Sequence, residues 1–147
     1  GASIMILGAF LLIIVHVIFY LPFITSVVAA FFNVLLLGIA FSLVPSAMWP
    51  SVPKIIPEKQ LGSAYATIFW IQNFGLWGIP LLIGIVLDKT NPGVAAAKAA
   101  GQSVTYDYQK TWIIFVALTI VALLVAFWLK AEDKRKGYGL EKPNMQK

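Results

Sequence analysis

The chain has 147 residues, is 60% hydrophobic and 12% charged, and carries a net charge of +5. Soluble domains average roughly 45–50% apolar and ~25% charged residues, and a chain this short cannot hide such an excess in a core, so an ordinary soluble domain is excluded and lipid is the solvent that fits. With no cysteine and one histidine, disulfides, thiolate metal sites and His-based metal clusters are excluded within the chain.

A helix needs ~20 apolar residues to cross a ~30 Å hydrocarbon core. Four stretches free of Asp, Glu, Lys and Arg supply them: Ser3 to Ser26, Val27 to Pro53, Gln60 to Leu87 and Thr111 to Leu129. The first span is expected over 3–21. Tyr20 and Phe23 suit a membrane interface and Pro22 a turn. So short a link returns the second span antiparallel beside the first. His16 is the one ionisable group deep inside a span. Its neighbours are apolar, and neutral imidazole is cheap to bury, so a hydrogen-bonded structural role is expected over a proton relay. Asn33 reads the same way. The chain opens Gly-Ala-Ser, with neither Met nor a basic n-region; the first span is a poor signal peptide, and a fragment of a longer chain is expected.

The second span is expected over 27–50. Gly38, Ser42, Pro45 and Trp49 recur at helical spacing on one face, with Ser46 at its border. Prolines 45, 50 and 53 lack an amide hydrogen, which leaves the carbonyls of Phe41, Ser46 and Trp49 without their usual helical partners. Lipid tolerates free carbonyls only where protein or water satisfies them. This end of the span is therefore expected to bend and to face protein or a cavity. Pro50, Pro53 and Pro57 also fit a frayed helix end at the membrane surface.

The third span is expected over 63–87. Tyr65, Phe69, Gln72 and Leu76 share one face; Ala66, Asn73, Trp77, Pro80 and Gly84 share the neighbouring one. For Gln72, cavity lining and structural bonding both stand. Asn73 shares its stripe with small and kinking residues and reads as structural. Gly75 and Gly78 permit close backbone approach or flexing, so that Gly38, Pro45, Asn73, Gly75, Gly78, Pro80 and Gly84 together form the expected packing and hinge set.

The connection 88–110 carries Asn91-Pro92, then GVAAAKAA and Gly101. This reads as a short surface helix with Asn91 as cap, Pro92 at its first position and Gly101 past its end; a plain flexible loop is the alternative. The fourth span is expected over 111–130, with Trp112 and Trp128 as interfacial residues at its two ends. The segment 131–147 is a basic tail, expected to lack order past its first turn or two.

Four crossings put both termini and the 54–60 loop on one side, with eight of the eleven Lys and Arg residues; Lys89, Lys98 and Lys110 lie on the other. The positive-inside bias places the termini in the cytoplasm, for which a bacterial inner membrane is the expected setting. A basic tail behind a hydrophobic span is explained by this topology, so no nucleic-acid partner is expected. No Asp, Glu, Lys or Arg sits mid-span, so the carboxylate expected of a proton-driven antiporter core is missing. Nothing resembles a nucleophile–base pair, a phosphate loop or a metal set, so neither an enzyme nor a cofactor is expected.

The stretch PSAMWPSVPKIIPEKQLGSAYATIFWIQNFGLWGIPLLIGIVLD, Pro45 to Asp88, resembles the tenth and eleventh transmembrane helices of a major facilitator superfamily transporter. Its Trp-Pro, its Pro-Glu-x-x-Leu-Gly-x-Ala-Tyr link, its Ile-Gln-Asn and its Gly-x-x-x-Asp exit are most like the lysosomal dipeptide transporter branch and its prokaryotic relatives. The resemblance is strongest there and weak in the first and fourth spans. It implies an all-α polytopic membrane protein whose four helices are the ninth to twelfth of twelve. It implies that the second and third spans border the solute path through Ser42, Ser46, Trp49, Tyr65, Phe69 and Gln72, and that the outer two spans, with His16, are peripheral. The implied partners are the lipid bilayer, the remaining helices of a parent transporter and a small polar solute, dipeptides among the candidates. The alternative is a complete four-helix oligomeric membrane protein, exporter-like or a structural subunit.

Overall fold

A computed structural model describes residues 1–22 and 25–143. Phe23 and the last four residues of the tail lie outside the described residues. The order is α1 (Ala2–Tyr20), α2 (Val27–Ile55), a 3₁₀ turn (Glu58–Gln60), α3 (Leu61–Thr90), the short α4 (Val94–Ala99) and α5 (Gln109–Lys136). The protein is all-α, and among the described residues four helices are long and apolar enough to cross a membrane.

Two helices run further than the sequence suggests. α2 continues through Pro50 and Pro53 to Ile55, because the fixed φ of proline is already helical and its cost falls on a backbone hydrogen bond. α5 does not stop at the end of its apolar run. Glu132 bonds Arg135 at 2.6 Å and Lys136 at 2.9 Å, the i,i+3 and i,i+4 pairs that support a helical turn in water. Gly137, at φ 69°, then ends the helix, its N–H donating to the Asp133 carbonyl at 2.8 Å.

α1 lies between α2 and α5 and packs extensively on both. The buried positions are mostly small: Ala2, Ala9, Ala40, Ala47 and Ala126, with Met5 and Val15. Small residues let helix backbones approach in lipid, where apolar bulk alone gives helices no preference for one another. The closest approach is at Gly8, where an added Cβ would stand 2.9 Å from Val44 Cγ2 and 3.1 Å from the Ala40 carbonyl oxygen. Asn33 supplies the polar tie, its Nδ2 donating to the Val15 carbonyl at 3.1 Å. His16 is buried at 8% exposure and stacks on Phe115 of α5 with ring centroids 5.4 Å apart. The reason is steric: α5 covers the α1 face that the aromatic His16 and Phe19 present, Phe19 stacking on Trp112 at 4.6 Å.

α3 differs from the other three long helices, for none of its thirty residues is buried. Trp70, Phe74, Leu76 and Trp77 are all more than half exposed.

The connection after α3 also departs from expectation. α4 begins after Gly93, at φ 83°, and Asn91 does not cap it. Asn91 closes α3 instead, its Nδ2 donating to the Leu87 carbonyl at 2.9 Å and the Asp107 carbonyl at 3.0 Å while its Oδ1 accepts the Asp107 N–H at 2.7 Å. A primary amide can reach two strands of chain at once, and here that outweighs capping a helix of only six residues.

The tail segment 137–143 is folded, contrary to the expected disorder. Leu140 is 2% exposed, its N–H donates to Asp133 Oδ1 at 3.1 Å, and Lys54 at the end of α2 donates to the carbonyls of Gly139 and Lys142. Glu141 Oε1 accepts from the backbone N–H and the hydroxyl of Ser3, both at 2.8 Å. The Ser3 backbone N–H, then its hydroxyl, hold the Glu141 carboxyl below the usual carboxylate range. A depressed folded-state value means that docking is intact above the ordinary glutamate range and is lost as pH falls through the lowered value. Limited proteolysis at Tyr138 should therefore stay slow at neutral pH and accelerate only in acid. Glu141→Gln should abolish that pH step, and Lys54→Met should leave the turn cleavable at every pH.

Candidate functional site: the gap between α2 and α3

A helix turns about 100° per residue, which sets the faces of α2. Ala40, Ala47 and Ser51 are buried against α1. Gly38, Ser42, Pro45 and Trp49 lie on the opposite side, where Gly38 has nothing within 4 Å of an added Cβ. That side looks toward α3: Trp49 stacks on Phe69, centroids 5.0 Å apart, and lies against Tyr65 at 5.8 Å.

The faces of α3 follow in the same way. Tyr65, Ile68, Ile79 and Ile83, all half-buried, mark the side turned to the rest of the protein. Gln72 shares that azimuth yet is exposed, because α3 meets α2 only around its first turns. Beyond the Trp49–Phe69 stack the two helices separate. A gap opens between them, with Ser42 and Trp49 on one side and Tyr65, Phe69 and Gln72 on the other; Ser46, at the border of the α2 face, instead lines a pocket with Gly1, Ile4, Pro50 and Leu140. The stack closes its end nearest the 3₁₀ turn.

The prolines shape the hydrogen-bonding character of this gap. Pro53 cannot donate to the Trp49 carbonyl, and the Tyr65 hydroxyl does so instead, at 3.4 Å. Ser42 Oγ donates to the Gly38 carbonyl at 2.8 Å and Ser46 Oγ to the Leu43 carbonyl at 2.9 Å. Such back-bonding satisfies a hydroxyl in an apolar medium while leaving its lone pairs outward. No lysine, arginine, aspartate or glutamate stands on either wall.

Of the packing and hinge set, Gly38 and Pro45 share the gap side of α2, and the α3 members lie elsewhere. Asn73 Nδ2 donates to the Phe69 carbonyl of its own helix at 2.8 Å. Gly75, Gly78 and Gly84 have nothing within 4 Å of an added Cβ. Asn73, Trp77, Pro80 and Gly84 are turned well away from the gap, toward open surroundings among the described residues. Within the chain the close contacts are made by Gly8 and Lys54, which sequence reasoning passes over. The recurrence of Ala2, Met5 and Ala9 at helical spacing is the one signal that marks the face on which Gly8 sits. Among the described residues no group of three His, Cys, Asp or Glu side chains is placed to hold a metal ion.

Comparison with known proteins adds a second kind of observation. The chain is 33% identical over 105 residues to the lysosomal dipeptide transporters of Mus musculus and of Danio rerio, which covers 71% of the chain and 19% of each relative. It is 49% identical over 53 residues to the lysosomal dipeptide transporter of Gallus gallus, 36% of the chain and 12% of that relative. The chain thus spans about a fifth of the length of the mouse and zebrafish relatives it matches. No family model and no solved structure matches it.

Proposed function

The chain belongs to the major facilitator superfamily, and from that premise we propose that its α2 and α3 form part of the wall of a path for small polar solutes across the membrane. The observation that carries this reading is the pairing of the two polar faces. In a lipid-immersed protein, a gap shared by Ser42, Trp49 and Gln72 is one that water or a solute can enter. Dipeptides are the proposed solute class, because the relatives are named as dipeptide transporters.

Alternating access is the proposed mechanism. α2, with three prolines inside it, is the helix best suited to bend, and the aromatic stack at its end is the part of the gap that must open. The bare face of α3 would be covered by further helices of the same transporter, consistent with the small share of the relatives that this chain spans. Both termini are proposed to face the cytoplasm, on the strength of eight Lys and Arg residues against three.

The test is uptake of labelled dipeptides by the full-length protein in liposomes. Trp49→Ala and Gln72→Ala should each lower uptake several-fold without lowering the amount of protein inserted. Absence of dipeptide flux in the unmodified protein would end the dipeptide assignment, and unchanged uptake in both variants would remove Trp49 and Gln72 from the path.

A further inference from the structure

A cavity of about 830 Å³ lies where the end of α2 and the start of α3 meet the folded tail, within the range of about 300–1,000 Å³ usual for ligand sites. One wall is apolar, with Ile55 and Ile56 around the end of α2 and Leu61 at the start of α3, all half-buried. Tyr138 of the tail turn lines the other side, and Lys54 and Lys142 both line the cavity. These residues sit where apolar spans give way to charged chain, which is the level of lipid headgroups.

The two lysines differ from the cations around them. Arg135 and Lys136 are committed to Glu132, and Lys130 donates to the Ser3 hydroxyl. Lys54 donates to the carbonyls of Gly139 and Lys142. Those carbonyls orient its ammonium without cancelling its charge, and they use two of its three hydrogens. Lys142 lays its stem over Gly139, where an added Cβ would stand 3.5 Å from Lys142 Cδ. Among the described residues neither lysine pairs with a carboxylate. Glu58 also lines the cavity, so two positive charges face one negative charge.

We infer that this cavity binds an anionic lipid: Lys54 and Lys142 take the headgroup phosphate, and Ile55, Ile56 and Leu61 take the first carbons of its acyl chains. Lysine binds phosphate as a point charge, and basic residues beside a membrane span attract anionic headgroups. A soluble anion would use the lysines and leave the apolar wall wet. A zwitterionic lipid would bring its own cation against them. An anionic lipid meets both walls at once. This site needs only the membrane spans, not the solute path. A headgroup held there would bridge the end of α2 and the tail turn.

Native mass spectrometry of the full-length protein in a neutral detergent, titrated with phosphatidylglycerol or phosphatidylcholine, reads the binding directly. The parent should prefer phosphatidylglycerol. Lys142→Met should weaken that binding about fivefold, the worth of one lysine beside an anionic surface. Lys134→Met removes the same charge from an exposed position outside the cavity and should leave binding unchanged. Glu58→Gln, which leaves the tail turn untouched, should tighten it. Slow proteolysis at Tyr138 checks that the turn is still docked in each variant. Equal losses in Lys142→Met and Lys134→Met would mean diffuse attraction to the basic tail and would overturn the site. So would unchanged binding in Lys142→Met or in Glu58→Gln. Displacement of phosphatidylglycerol by an equal concentration of inorganic phosphate would show that an anion alone suffices, which would overturn the lipid assignment.

Discussion

Gly8→Leu should unseat α1 from α2. At this point the helices meet backbone to backbone, and even a single added carbon would lie 2.9 Å from Val44 Cγ2, 3.1 Å from Leu43 Cβ and 3.1 Å from the Ala40 carbonyl oxygen. Val44 is β-branched and stiff, and a backbone carbonyl cannot swing aside. Gly8→Ala requires a shift of a few tenths of an ångström and should cost about 1 kcal/mol, within the usual range for overpacking. Gly8→Leu adds three further carbons in the same place and should cost about 3 kcal/mol or more, which is a large part of a typical stability. Separation would also strip Asn33 of its bond to the Val15 carbonyl, leaving a buried amide unpaired in lipid. Thermal unfolding of the purified protein in detergent, followed by gel filtration, measures the effect. Gly8→Leu should lose its single peak at temperatures where Gly8→Ala keeps it. Phe10→Ala, on the opposite and exposed side of α1, should behave as the parent. If Gly8→Leu melts with the parent, the close approach does not hold the pair.

Much of the fold is legible because a membrane simplifies the problem. Length, absence of charge and helical period locate α1, α2, α3 and α5, since only a helix satisfies its backbone in lipid. Period also places Ser42 with Trp49, and Tyr65 with Gln72, on shared faces. What it leaves open is which face meets which helix. Gly8 shows why: a glycine is a packing device only if another backbone comes near, and Gly75 and Gly78 look the same in sequence yet meet nothing within 4 Å here. The folded tail is hidden for a related reason. Gly137, Gly139 and the surrounding charges read as solvated chain, and it is Lys54, more than eighty residues earlier in sequence, that ties the carbonyls of Gly139 and Lys142 to α2. Asn91 is a third case, for its preference as a helix cap is worth about 1 kcal/mol, less than the several bonds it makes by bridging Leu87 and Asp107.

The prolines of α2 make one further expectation sharp, because a missing amide hydrogen predicts which substitution replaces it. Pro53 leaves the Trp49 carbonyl without its helical donor, and the Tyr65 hydroxyl takes the place at 3.4 Å. Tyr65→Phe should then strand a carbonyl in apolar surroundings, at a cost of about 1–2 kcal/mol. The long distance, and the average of about 0.6 kcal/mol for side-chain hydrogen bonds in one membrane protein, place the cost toward the low end of that range or just below it. Pro53→Ala restores a backbone N–H four residues beyond Trp49. In that background the hydroxyl has no orphan to serve, so Tyr65→Phe should cost next to nothing. The two changes are therefore coupled by most of the single-mutant cost, which a double-mutant cycle on unfolding in detergent resolves. Stacking of Trp49 on Phe69 survives all four members of the cycle, so the difference reports the hydroxyl alone. Equal costs of Tyr65→Phe in both backgrounds would mean that the hydroxyl does not hold the carbonyl. Its hydrogen would then be free to bond a solute.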